Sequence, residues 1–220
     1  MRLNGGPSGT PPVLAVQGRA TIGGMDVLEL LESAGLLAPG AAADPNDPTV
    51  LEIWDLLAHD GWETVLTLLE EPGTNPPIPP RTWADLATAA ERLHLPHSAA
   101  WCHWRHYEAR HDLVIRAELT LLPAGEGRRK TPFAGAGVMR PLWDIGQRTP
   151  DGGPNLAVGF LWVEHTPTLG PGERATVRLL ALAPDRWRDL RPGDRIAMHE
   201  GRPVAGTAVV LEARRVYGSC

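Results

Sequence analysis

After residue 112 the chain alternates apolar and polar side chains, and this period of two constrains its fold more than any other feature. In LVIRAELTLL, Leu113, Ile115 and Leu119 share one face of an extended strand, while Arg116 and Glu118 share the other. Similar runs recur as AVGFLWVE, ATVRLLALA, RIAMHE and PVAGTAVVLEA, separated by turn sequences such as LGPGE and LRPGD. No helix-length segment separates them, so about six antiparallel strands are expected, closed into a small barrel or packed as a sandwich.

The first half of the chain shows the helical period instead. The segment DVLELLESAGLL, from Asp26, spaces its apolar residues as in an amphipathic helix ending near Gly35. Asp47 followed by Pro48 predicts a second start, with an N-cap and a proline at the first helical position. The helical pattern that follows is interrupted at Gly61. These signals predict short helices joined by turns.

Two further helices are expected after the proline-rich connector PGTNPPIPPR. One opens at Arg81 or Thr82, and the other runs from His97 to Arg110. Together these patterns predict an α+β protein with two domains. Residues 1–112 form a bundle of four or five short helices, and residues 113–220 form a small six-stranded antiparallel β-barrel.

Composition is typical of a folded globular chain, but the charge is unevenly divided. Residues 1–112 hold six arginines and fifteen acidic residues, a net charge of −9, whereas residues 113–220 have a net charge of +4. The basic half could face an anionic ligand, or the acidic half could cover it. The N-terminal sequence shows neither a signal peptide nor a membrane anchor, so we expect a cytoplasmic protein without membrane partners.

The only lysine of the chain, Lys130, lies in the loop EGRRKTPF beside Arg128 and Arg129. Three adjacent cations repel one another unless water or an anionic partner faces them. This loop is therefore either a hydrated tip or a docking place for something acidic.

The same loop belongs to a series of blocks with a family resemblance. ELTLLPAGEGRRKTPFAGAGVMRPLW, LGPGERATVRLLALAP and RIAMHEGRPVAGTAVV follow one another over about residues 113–215. In order and spacing they resemble the third, C-terminal β-barrel domain of translation elongation factor Tu, whose sequence reads acid-Gly-Gly-Arg-His-Thr-Pro-Phe at the loop. The resemblance implies a barrel of that type.

The resemblance also implies a ligand. In that family the Arg-His of the loop contacts the T stem of aminoacyl-tRNA, and Arg129 and Lys130 occupy those positions here. Gly201 matches a glycine whose backbone approaches the same RNA. Arg128, Arg129, Lys130 and Gly201 are therefore the candidate RNA-binding residues, with the cations neutralising phosphates.

Catalytic signatures are missing from the sequence. No Gly-x-x-x-x-Gly-Lys-Ser/Thr motif is present, so a GTP-binding domain is not expected, and no Gly-x-Ser-x-Gly motif occurs. We therefore predict no catalytic residues, no cofactor and no enzyme activity.

The leading hypothesis is a translation-associated protein that binds tRNA or another RNA. The alternative is a protein-interaction module that imitates the factor's barrel and binds a translation-factor partner without nucleic acid.

The His/Cys-rich stretch at residues 94–111 leaves a metal site open. Cys102 and His106 are four residues apart, and His103 and His106 are three apart, so one helical face could present two ligands. Two ligands do not complete a site, and a histidine-rich surface helix is favoured, so no metal is predicted.

Overall fold

A computed structural model describes residues 21–22, 25–26, 55–69, 78–111 and 113–215. Within these ranges it has three α-helices and eleven strands, in addition to helical residues 55–58. In chain order they are β1 Thr21–Ile22, β2 Met25–Asp26, α1 Trp62–Leu69, α2 Pro80–Arg92, α3 Pro96–Glu108, β3 Leu113–Leu121, β4 Phe133–Ala134, β5 Ala136–Met139, β6 Leu142–Asp144, β7 Ala157–Val163, β8 Thr168–Leu169, β9 Arg174–Ala181, β10 Arg195–His199 and β11 Val204–Arg215. A 3₁₀-helix spans Pro184–Trp187.

Six of these strands close into an antiparallel barrel, as the alternation predicted. The hydrogen-bonded order is β7-β6-β10-β11-β3-β9, and β9 pairs with β7 to complete the ring. Closure leaves none of these six strands as an open edge of a flat sheet. Leu113, Ile115 and Leu119 of β3 point into the barrel core, together with Trp143 of β6.

The helices follow the sequence signals within a residue or two. Helix α2 begins at Pro80, one residue before the predicted start. Helix α3, Pro96–Glu108, begins one residue before the predicted 97–110 and ends two residues before its end. The interruption at Gly61 is confirmed, because helical residues 55–58 end in a turn before α1 begins. The helix predicted from Asp26 and the start predicted at Asp47 lie outside the described residues, apart from Asp26 itself in β2. The complete bundle therefore stays a prediction.

The described helices pack on the outside of the barrel and share a core with it. Trp83 of α2 and Trp101 of α3 are fully buried in a cluster that also contains Trp162 of β7 and Leu180 of β9. The Trp101 and Trp162 rings lie 5.2 Å apart between centroids. None of the helices in the described ranges has the length and apolar character to cross a bilayer.

Candidate nucleic-acid interface

The basic loop lies at one end of the barrel, beside the turns that precede β9 and β11. It follows the last residue of β3, Leu121, which pairs with Gly206 near the start of β11. This register places the loop beside the turn between β10 and β11, at residues 200–203. A side chain at Gly206 would bring its Cβ within 2.7 Å of the Thr120 carbonyl oxygen, so the close approach of β11 to β3 requires glycine here. We call this end of the barrel, residues 122–132 and 199–203, the basic tip.

Arg129 is held by an ion pair and does not project freely. Its Nε donates a hydrogen bond of 2.6 Å to Glu200 Oε1, and its guanidinium lies 4.9 Å from the centroid of the Phe133 ring. Both side chains of the ion pair are about one-fifth exposed, at 21% each. The pair crosses from the loop to the turn and therefore fixes the two segments against each other, while neutralising the charge of Arg129.

Lys130 and Arg128 are the exposed cations of the loop. The Lys130 ammonium donates hydrogen bonds to the carbonyl oxygens of Ala124 and Gly127, which closes the loop on itself. These carbonyls are neutral, so the charge of Lys130 is kept. Arg128 is exposed, and no acidic partner for it occurs in the part of the chain that the structure describes. The two residues therefore present positive charge to solvent.

Gly201 lies next to Glu200 in a turn that favours glycine. Its φ is +72°, in the left-handed region, and there is open space around the position that a Cβ would occupy. The Glu200 amide donates to the Pro203 carbonyl at 3.2 Å, and His199 Nδ1 lies 2.9 Å from the Arg202 carbonyl oxygen. The tight turn leaves the backbone of Gly201 open to a ligand.

The structure thus brings all four predicted residues to one end of the barrel. It also adds Arg202, an exposed cation in the same turn, which the sequence reading missed. The sequence signal that could have identified Arg202 is its position immediately after Gly201, but only the fold puts it beside the loop. Exposed acids, Glu126 and Glu173, lie in the loop and in the turn before β9, so the positive charge of the tip is modest.

The His/Cys-rich helix does not converge on a metal site in the described residues. Cys102 points into the helical core and is fully buried, and burial raises the pKa of its thiol. His103 Nε2 lies 2.7 Å from Glu91 Oε1, and His106 Nδ1 lies 2.7 Å from the Pro80 carbonyl oxygen. The three side chains therefore have separate surroundings, and no group of three candidate ligands gathers within the described ranges.

A buried network of charges joins helix α3 to the barrel, and the sequence reading missed it as well. Arg178 of β9 donates to Glu108 of α3 at 2.9 Å and to Glu164, just after β7, at 3.0 Å. Arg116 of β3 donates two hydrogen bonds to Glu164, and Arg105 Nε lies 2.7 Å from Glu108 Oε2. Every carboxylate here meets two guanidinium groups, so the network attaches the helices and offers no free acid or base.

The pKa directions agree with this reading. Burial alone would raise the pKa of Glu108, but the charges of Arg178 and Arg105 outweigh it and lower the pKa. The pKa of Glu164 is lowered in the same way, by Arg116 and Arg178 acting against burial. Both carboxylates are therefore ionised at neutral pH.

A second link between the helices and the barrel is centred on Glu63 of α1. It accepts hydrogen bonds from Trp162 Nε1 and from the His165 amide, each at 3.1 Å, and its other oxygen lies 3.0 Å from His97 Nε2. The hydrogen bond to Glu63 raises the pKa of His97 although partial burial opposes it. None of the hydrogen bonds or ion pairs of Arg129 and Lys130 involves a helical residue in the described part of the chain.

A scan against models of protein families finds no match to the chain, and a search of curated proteins finds no match either. The class that the fold and the site define is a closed six-stranded antiparallel barrel with helices attached to its side.

Proposed function

We propose that this is a non-enzymatic protein of the translation apparatus, whose barrel is of the elongation factor Tu third-domain type and binds tRNA or another structured RNA. The support is twofold. The barrel has the closed antiparallel form that the resemblance implies. The positions carried over from the family, Arg129, Lys130 and Gly201, meet at the basic tip, although Gly201 is more than seventy residues from the loop in sequence.

One observation carries the proposal: the Arg129–Glu200 ion pair ties the loop to the turn. With the two segments fixed, Arg128, Lys130 and Arg202 are exposed cations at one end of the barrel. Cations held at fixed positions bind phosphates without the entropic cost of ordering two loops. In this proposal Arg129 is a positioning residue, the three exposed cations contact phosphate, and the Gly201 backbone approaches the RNA.

The alternative is a protein partner at the same tip, with no RNA. The observation that favours it is the charge balance, because Arg129 and Glu200 neutralise each other and Glu126 and Glu173 are exposed nearby. A mixed surface of this kind suits a protein partner better than a uniformly basic surface does.

Binding of fluorescently labelled tRNA to the full chain, measured by anisotropy at low salt, tests the proposal. The double variant Arg128→Ala/Lys130→Ala should weaken binding at least tenfold. The matched control is Arg191→Ala/Arg195→Ala, which removes two exposed arginines from the opposite end of the barrel and should change little. If wild-type protein does not bind tRNA or a structured RNA at low salt, the RNA proposal is wrong and the protein-partner alternative is preferred.

A further inference from the structure

An apolar face lies on the outside of the barrel beside helix α3. Strand β7, AVGFLWV, carries no charged or polar side chain on either side. Ala157 and Leu161 point into the barrel core, whereas Phe160 and Trp162 point outward towards the helices. Trp162 is buried beneath the helices, but Phe160 and the outward Val158 are only half-buried. A strand that is apolar on both sides is typical of a sheet covered on both faces, and here the described structure covers only one part of the outer face.

The uncovered part extends from β7 to three neighbouring elements. Leu142 of β6 pairs with Val158, and the amide of Leu182, just after β9, donates to the Val158 carbonyl oxygen at 3.1 Å. Tyr107 of α3 packs edge-on against Phe160, with ring centroids 6.3 Å apart. We call Leu142, Val158, Phe160, Leu182 and Tyr107 the β7 face. Leu182 is 50% exposed and Tyr107 is 44% exposed, so the β7 face presents large apolar side chains to solvent.

Positive charge borders the β7 face. The Arg140 guanidinium lies 4.6 Å from the centroid of the Phe160 ring, a cation–π contact that uses none of its N–H donors. Arg110 is exposed one turn after Tyr107. Among the described residues no carboxylate pairs with either arginine.

Two acids of the described residues near the β7 face are already paired. Asp144, at the end of β6, pairs with Arg148 at 2.9 Å. Asp185, three residues after Leu182, pairs with Arg188 at 2.6 Å. The unpaired charge that the described residues place around the β7 face is therefore positive, and its complement is an acidic surface.

We propose that the β7 face is a docking surface for an acidic amphipathic segment of a partner protein, with apolar side chains against Phe160 and Leu182 and a carboxylate paired with Arg140. A second copy of this chain fits less well. Twofold pairing through the same face brings two positively bordered surfaces together, and like charges oppose such contact. The β7 face shares no residue with the basic tip, although Leu142 pairs with His199 of the tip. The inference does not depend on RNA binding.

Selection of peptides from a displayed library of random sequences tests this inference. The full wild-type chain is the bait, and the Leu182→Asp variant removes peptides that bind elsewhere. We expect enrichment of peptides that combine Asp or Glu with Leu, Ile or Phe. The affinity of an enriched synthetic peptide should fall at least tenfold with Leu182→Asp and several-fold with Arg140→Glu.

Matched controls distinguish peptide binding at the β7 face from nonspecific apolar binding and from binding at the basic tip. Leu211 of β11 is 47% exposed, so Leu211→Asp makes the same change on another part of the barrel and should leave peptide affinity unchanged. The tip variant Arg128→Ala/Lys130→Ala should also bind the peptide normally, which distinguishes this test from that of RNA binding.

Four results would overturn the inference. The first is enrichment of basic peptides, and the second is that every enriched peptide still binds the Leu182→Asp variant. The third is concentration-dependent self-association that Leu182→Asp abolishes. The fourth is binding to phosphatidylserine vesicles that Leu182→Asp abolishes. The last two would assign the β7 face to a second copy or to an anionic membrane surface.

Discussion

Arg178 of strand β9 and Glu108 of helix α3 form a buried bidentate ion pair, in which Nε and Nη2 of the guanidinium each lie 2.9 Å from a different carboxylate oxygen. Their side chains are 5% and 3% exposed. The pair joins an element of the helical segment to the wall of the barrel. The helices and the barrel are therefore coupled through charge as well as through their tryptophan cluster.

Replacing Arg178 should destabilise the protein strongly. Arg178→Met removes a cation that both Glu108 and Glu164 contact, and buried carboxylates deprived of a partner are costly. We expect a loss of about 3–5 kcal/mol in the free energy of unfolding, measured with urea. The control is Arg174→Ala on the same strand, whose pair with Glu118 is 55% and 42% exposed and should be worth less than about 1 kcal/mol. Equal losses in the two variants would contradict this account of the network.

His97 should make stability depend on pH near neutrality. Its hydrogen bond to Glu63 raises the pKa of His97 in the folded state above the ordinary value of 6.5. A raised pKa means that the folded protein holds the proton more tightly than the unfolded chain does. The stabilisation is therefore complete below pH 6.5 and is lost as pH rises through the folded pKa.

Urea unfolding of wild type and His97→Asn across this pH range measures the effect. The two proteins should differ most on the acid side and converge as pH rises. Parallel stability curves would show that the His97–Glu63 contact is not linked to protonation.

Replacing Gly137 with alanine should destabilise the protein more than the same change at Gly146, another glycine with a left-handed φ. Its φ is +73°, and an added Cβ would lie 2.7 Å from Cε3 of Trp104, where β5 meets helix α3. Gly146 has a φ of +85° but open space around it. Both alanine variants carry the backbone strain of about 1–2 kcal/mol, but only Gly137→Ala adds a clash. A thermal melt should show Gly137→Ala several degrees below Gly146→Ala, and equal midpoints would contradict the close packing of Trp104.

Reversing the charges of the Arg129–Glu200 pair tests its positioning role. Arg129→Glu or Glu200→Arg alone places like charges together at the basic tip, and each should lower the unfolding midpoint. The double reversal restores a pair of opposite charges. Its loss in the free energy of unfolding should therefore be smaller than the sum of the two single losses by about 0.5–3 kcal/mol. Additive losses would show that the two side chains do not interact in solution.

The alternation of apolar and polar residues predicts most of the barrel from the sequence. Strand β3 alternates over nine residues, long enough for its inward face to be recognised. Strand β6 has only three residues, Leu142–Asp144, which is too short for a period of two to appear, although it completes the ring between β7 and β10. The positions of Glu108 and Arg178 were not accessible, because the contact joins residues 70 positions apart and charge alone does not specify a partner.

The sequence indicated the loop of the candidate site but not the contacts that its side chains make. The loop composition indicated a cationic tip, and the resemblance placed Gly201 with it. The sequence could not show that Arg129 is neutralised by Glu200, because the pairing depends on the register of β3 and β11. For the same reason Arg202 was overlooked. Distances between side chains at a barrel end arise from strand pairing and not from local patterns.

The dependence of tRNA affinity on salt tests the central claim most directly. If Arg128 and Lys130 contact phosphates, affinity should fall steeply as salt rises, and the slope of log K against log salt should decrease by about 1.5 when both are alanine. The Arg191→Ala/Arg195→Ala protein should keep the wild-type slope. A slope that is the same in wild type and in the tip variant would contradict RNA binding at the basic tip.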